Sequence, residues 1–276
     1  MRSIFLAPLA LVLAGSAPSP KVIEIVGSDY SFRAPASAAA GPTVFRFRNN
    51  GRQRHELNIF LLRRGATIDQ FLKLQKAGES TQSVVEGGVG VLFAEPDASA
   101  PSALSVNLLA GREYGVICIF RDEKDKPRHY EMGMYSVIRA TGTQPAVTPV
   151  RVDSIVAVDY AYTRFPRELS PGRHTISFRN TGKHRHEINI ALLKKGITLD
   201  SIIARDKKDL DVEPLFEKNG GNGVLHSRAA TSALGSLVVD FLPGREYLVD
   251  CSFQDDEKSP PHYKLGMYGS IKVRAR

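Results

Sequence analysis

Cys118 and Cys251 are the only cysteines of the chain, and they stand in one local frame, GREYGVICIF at 111–120 and GREYLVDCSF at 244–253. Side chains alternate between the faces of a strand, so Tyr114, Val116, Cys118 and Phe120 share one face, as do Tyr247, Val249, Cys251 and Phe253. A thiol pointing inward among apolar neighbours is a disulfide partner, a small core residue or a metal ligand. A disulfide would have to join equivalent interior positions of two separate segments, which the short reach of the bond disfavours unless the segments merge.

The residues after each cysteine also repeat. A charged loop, RDEKDKPR or QDDEKSPP, leads to HYEMGMY or HYKLGMY, so both copies read Cys, ten residues, His, four residues, Met: Cys118, His129, Met134 and Cys251, His262, Met267. The chain has four methionines including the initiator, and two fall on this spacing; Met132 is a rival in the first copy, but Leu265 takes its place in the second. Upstream, His55 opens HELNIF and His186 opens HEINIA, each on the face of apolar residues that succeed it. A lone histidine there reads as a core residue. Beside a thiolate, a second imidazole and a thioether it reads as a ligand. One thiolate and two imidazoles make a trigonal plane, and a weak axial methionine suits both Cu(I) and Cu(II). Structural zinc would more typically bring further thiolates.

Over a longer span, FRNNGRQRHELNIFLLRRGATID at 47–69 matches FRNTGKHRHEINIALLKKGITLD at 178–200, so the chain is an internal duplication of domain-sized units. Short alternating runs such as TVFRFRN, ALSVNLL and YGVICIF, separated by Gly, Pro and Asn, predict β-strands and an all-β sandwich for each unit. One helix is predicted per copy, covering an edge or end of the sandwich. Thr67 is its N-cap, Gln70 holds the capping-box position and Ile68, Phe71 and Leu72 share a face; Leu199, Ile202 and Ile203 match them in the second copy. EGGVGV and NGGNGV read as turns, and His174, His184 and His226 as surface residues. The boundaries drawn are a signal peptide at 1–20, domains at 21–140 and 150–276, and a linker at 141–149.

At 276 residues each unit can bury its own core. The formal net charge of +8 is spread over residues such as Arg63, Arg64, Lys194 and Lys195, read as solvated faces, and no nucleic-acid motif is present. The amino terminus has one basic residue, an apolar run from Ile4 to Leu13 and small residues from Ala14 to Ala17, the layout of a secretory signal. The run is too short to span a bilayer, and Ser16 stands where a lipid-bearing cysteine would be required. The expectation is cleavage near 14–17 and a soluble, periplasmic or extracellular protein.

Over nearly the whole mature chain, each unit resembles a cupredoxin, the plastocyanin and azurin type of blue copper domain. The resemblance rests on the Asn-Gly turn before the first histidine, Asn49 to His55 and Asn180 to His186, and on the terminal Cys-loop-His-loop-Met. It implies two tandem Greek-key β-sandwiches, each with a short helical insertion. It also implies type 1 copper, one ion per domain, with His55, His129, His186 and His262 as imidazole ligands, Cys118 and Cys251 as thiolates, and Met134 and Met267 as axial donors. Electron transfer or copper carrying with a redox or copper-exchange protein partner would result; a metal-free interaction module is the alternative. The loop from Cys to His is longer and more charged than in small blue copper proteins. In cupredoxin pairs that form oxidases and nitrite reductases, a histidine stands directly beside the thiolate. Here Cys118 is flanked by Ile117 and Ile119, and Cys251 by Asp250 and Ser252, so the expectation is a protein that is not an enzyme.

Overall fold

The computed structural model describes residues 19–146 and 151–275. Residues 1–18 of the expected signal segment, with its cleavage region, and 147–149 of the expected linker lie outside the described residues. The first copy contributes β1 (Lys21–Ser28), β2 (Ser31–Arg33), β3 (Ser37–Ala39), β4 (Gly41–Asn49), β5 (His55–Leu62), β6 (Val85–Ala94), β7 (Ser102–Leu108), β8 (Glu113–Ile117) and β9 (Tyr135–Thr141). The second contributes β10 (Asp153–Val158), β11 (Ala161–Arg164), β12 (Glu168–Leu169), β13 (Gly172–Asn180), β14 (His186–Leu193), β15 (Phe216–Ser227), β16 (Ser236–Phe241), β17 (Glu246–Asp250) and β18 (Tyr268–Val273).

Alternation decides which face each strand buries. In β4, Thr43, Phe45, Phe47 and Asn49 point inward, and in β13, Ile176, Phe178 and Asn180 do the same. Each copy is a two-layer sandwich, with order β2-β1-β4-β7 facing β3-β9-β8-β5-β6, repeated as β11-β10-β13-β16 and β12-β18-β17-β14-β15. β1 runs parallel to β4, and β3 to β9, so the chain crosses between layers in the manner of a Greek key.

The copies are not separate beads. β7 pairs antiparallel with β16 and β6 with β15, which fuses the layers into continuous sheets of eight and ten strands over one shared core. Equivalent residues meet at the junction: Leu104 lies opposite Leu237 and Val91 opposite Val224, so a pseudo-twofold axis runs between the copies. The glycine runs expected as turns lie inside β6 and β15 instead. Their role is close approach. A side chain on Gly88 would collide with the His226 ring, and Gly90 and Gly223 hold φ of +150° and +105° against the opposite copy.

Helix α1 (Ile68–Ala77) has the expected capping box: the Gln70 amide N–H donates to Thr67 Oγ1 and the Gln70 side chain accepts from the Thr67 N–H. Helix α2 (Leu199–Asp206) repeats it with Thr198 and Ser201. α1 packs on the outer face of the ten-stranded sheet rather than on an edge, with Phe71 4.3 Å from the Phe60 ring between centroids. Among the described residues no helix is long and apolar enough to cross a membrane.

Candidate metal centres

Three backbone hydrogen bonds tie the segment after each cysteine back onto it. His129 N–H donates to the Phe120 carbonyl (2.8 Å), Tyr130 N–H to that of Cys118 (2.9 Å) and Cys118 N–H to that of Met134 (3.1 Å). His129 opens a short 3₁₀ turn, His129–Met132, which ends at Gly133 with φ +108°, and Met134 comes directly after it. The second copy makes the same bonds through Phe253, Cys251 and Met267, with Gly266 at +102°. His55 comes from the other side, as the first residue of β5. Its approach is fixed by Asn49, whose amide donates to the carbonyls of Gln53 and Ala94 and whose Oδ1 accepts from the Gly51 N–H. Asn180 does this for His186, donating to the carbonyls of His184 and Ser227.

The result is two compact donor sets. His55, Cys118 and His129, and likewise His186, Cys251 and His262, place their ligand atoms within 4.8 Å of one another, all buried. In the first set the two Nδ1 atoms are 3.0 Å apart, and the Cys118 sulfur is 3.4 Å from His129 Nδ1 and 3.9 Å from His55 Nδ1. In the second the Nδ1 atoms are again 3.0 Å apart, with the Cys251 sulfur 3.4 Å from His262 Nδ1. Met134 and Met267 are wholly buried; a side chain on Gly27 of β1 would lie 3.2 Å from the Met134 methyl. Both cysteines are free thiols although the modules merge, so the disulfide reading falls.

Burial sets the protonation. It pushes the Cys118 thiol up to about 12, helped by the charge of Glu56, and Cys251 up to about 12 as well. It lowers His55 to about 4, with His129 adding to the effect, and lowers His186 too. The amide N–H groups of Glu56 and Glu187 donate to the sulfurs at 3.4 Å.

The outward nitrogens meet carboxylates. His129 Nε2 is 2.9 Å from Asp122 Oδ1, and His262 Nε2 is 3.2 Å from Asp255 Oδ1. His55 Nε2 faces Asp29 at 3.9 Å and His186 Nε2 faces Asp159 at 3.5 Å, and both nitrogens are buried without a hydrogen-bond partner. Tyr30 donates its hydroxyl to Asp122 and Tyr160 to Asp255, each at 2.6 Å.

The orphaned nitrogens test whether an ion fits. Two imidazoles meeting at Nδ1 satisfy each other only if one carries its proton there, which leaves that ring's Nε2 bare beside an aspartate. Two nitrogens 3.0 Å apart can share one ion at the ordinary metal–nitrogen distance of about 2 Å, and both Nε2 atoms then become donors facing carboxylates. The donor set fits copper.

The four histidines and two cysteines expected from the sequence form these sets, and Met134 and Met267 are buried, with their backbone carbonyls accepting from the Cys118 and Cys251 N–H groups. Sequence reasoning missed the aspartates and tyrosines around them. Asp255, in the charged loop after Cys251, contacts His262, His184 and Tyr160. The signal was present: SDYS and VDYA recur, and an aspartate falls four residues after each cysteine. His226, expected at the surface, sits in β15 over Gly88 at the junction, and its Nδ1 is 3.4 Å from Arg185.

Two fused Greek-key sandwiches, each carrying a His-Cys-His set with a buried methionine, define a two-domain cupredoxin-like protein. No family model matches the sequence, and no curated protein matches it. Among solved structures, reduced auracyanin from Roseiflexus castenholzii is 19% identical, covering 44% of this chain and 94% of its own at a TM-score of 0.31. A multicopper oxidase is 13% identical over 91% of this chain and 88% of its own, with a TM-score of 0.27. A copper nitrite reductase from Nitrosomonas europaea is 10% identical over 92% and 94%, with a TM-score of 0.26. At such scores the assignment rests on strand order and donor sets, not on these likenesses.

The expectation that the chain is not an enzyme is corrected by the same comparisons. The solved chains that match along nine tenths of it include an oxidase and a nitrite reductase. The residues flanking each cysteine, on which that expectation rested, do not report on the junction. Pairing of β6 with β15 and of β7 with β16 builds a broad groove of about 1310 Å³ between the copies, which no local motif announces.

Proposed function

We propose that each copy holds one copper ion as a type 1 centre. The ligands are His55, Cys118 and His129 with Met134 as the weak axial donor, and His186, Cys251 and His262 with Met267. The observation that carries this reading is the pair of buried imidazoles meeting at Nδ1, 3.0 Å apart, each pair with one orphaned Nε2 and a thiol sulfur 3.4 Å away. Bound there, copper supplies a one-electron couple. The protein's part is to hold the soft donors together, exclude water and release the thiol proton to solvent as the ion takes its place on the sulfur, since burial otherwise keeps Cys118 protonated up to about 12. His55, neutral down to about 4, offers its lone pair throughout the physiological range. The protein is then an exported carrier of electrons or of copper that meets a redox or copper-exchange protein partner, with the domains at 21–140 and 150–276.

The test is metal analysis and a visible spectrum of the purified full chain after copper loading. Two copper ions per chain and an intense thiolate-to-copper band are expected. Cys118→Ser should abolish one centre and reduce the band by roughly half, leaving the second coloured. A colourless, metal-free protein would reject copper and leave the metal-free interaction module.

A further inference from the structure

Each centre is closed on its outward side by a tyrosine in an unfavourable backbone conformation. Tyr30 and Tyr160 occupy the turns between β1 and β2 and between β10 and β11, with φ of +61° and +60°. A bulky residue held there is strained, and the conformation recurs at the same place in both copies. In return, each ring stands edge-on to the second histidine, with centroids 5.1 Å apart for Tyr30 and His129 and 5.0 Å for Tyr160 and His262. Each hydroxyl donates to the far oxygen of an aspartate whose near oxygen faces that histidine's Nε2. His129 is 1% exposed and His262 0%.

We propose that Tyr30 with Asp122, and Tyr160 with Asp255, are positioning residues that hold the second histidine of each centre with its proton on Nε2 and its Nδ1 lone pair inward. This rests on the copper reading for its consequence, not for its geometry. An imidazole that keeps its proton on Nε2 needs no tautomer change to ligate through Nδ1, and a carboxylate behind it fixes the orientation of the ring. The tyrosine fixes the carboxylate and covers the ring edge. The copies differ in one respect: His184 Nδ1 also contacts Asp255 Oδ1 at 3.0 Å, whereas Gln53 stands at the matching place in the first copy. Asp122 therefore depends on Tyr30 more than Asp255 depends on Tyr160.

The experiment uses the full chain, first metal-free and ¹⁵N-labelled, with the histidine nitrogens read by long-range ¹H–¹⁵N NMR, then titrated with Cu(I) against a competing chelator. In the unsubstituted protein, His129 and His262 should show protonated Nε2 with slow solvent exchange. Asp122→Ala should speed exchange at His129 or reverse its tautomer and weaken Cu(I) binding in the first centre by about 10–100-fold, leaving the second unchanged. Tyr30→Phe keeps the ring in place and decides the matter should Asp122→Ala fail to fold. It should speed exchange at His129, while Tyr160→Phe should do less at His262. Unaltered His129 exchange and tautomer in both first-copy variants would overturn the proposal, as would an equal loss of affinity in both centres. Failure of the unsubstituted protein to take up Cu(I) would reject copper instead, and the imidazole spectrum would still decide the positioning.

Discussion

A buried thiol releases its proton to solvent when a cation takes its place on the sulfur, whereas a buried thioether has no proton to lose. Met134 is wholly enclosed, and as a packing residue it is replaceable by leucine, of similar volume, at a cost typically below about 1.5 kcal/mol. As an axial donor it is not replaceable in that way. Met134→Leu is expected to leave the metal-free protein folded, within that margin by denaturant unfolding, and to shift the reduction potential and visible spectrum of the first centre alone. Unchanged potential and spectrum would return Met134 to the core. The residue scale is also where the sequence was most legible. Donor atoms have types that chemistry restricts, and the Cys-His-Met spacing appears twice. The support behind the donors stayed concealed, because aspartate and tyrosine are ordinary surface residues until a fold brings Asp29, Tyr30 and Asp122 to the same histidine pair.

Among the elements, the short turn from His129 to Gly133 decides whether two ligands and the axial donor arrive together. Met134 N–H donates to the His129 carbonyl at 3.0 Å, and the chain reverses at Gly133 with φ +108°, a region that residues with a Cβ rarely enter. A side chain there would meet little, its nearest neighbour being the Tyr30 carbonyl at 3.7 Å, so the penalty of substitution is backbone strain and not collision. Gly133→Ala is expected to destabilise the metal-free protein by about 1–2 kcal/mol in denaturant unfolding and to alter the spectrum of the first centre only. No loss of stability would mean that the turn relaxes into another conformation. The helices were legible because capping is local: Thr67 and Gln70 need only each other. Their docking surface was not, since it takes Phe60 of the preceding strand together with Ile117 of a strand distant in sequence, and only the sheet brings the two side by side.

For the whole molecule the duplication could be read from the sequence but the fusion could not, because pairing of equivalent edge strands leaves no motif. Once Val91 faces Val224, the neighbouring equivalents Phe93 and His226 occupy related sites, Phe93 over Gly221 and His226 over Gly88. The second copy has thus placed a titratable ring where the first keeps an apolar one. Burial lowers His226 to about 3, and Arg185 and Arg228 add to the effect, so the folded protein holds it neutral. Its folded pKa lies below the unfolded value of about 6.5, so the unfolded chain binds the proton first. Stability is fully present above about pH 6.5 and falls as the pH drops toward 3. The loss is about 1.4 kcal/mol per unit at most, or roughly 2 kcal/mol between pH 6.5 and 4.5. His226→Phe copies the residue of the first copy and removes this proton. Denaturant unfolding of the metal-free protein at pH 7 and pH 4.5 should show the variant losing about 2 kcal/mol less than the unsubstituted chain over that interval, whatever the other groups contribute to both. Equal losses in the two proteins would mean that His226 is hydrated in the folded state and that the junction opens wide enough to admit its proton.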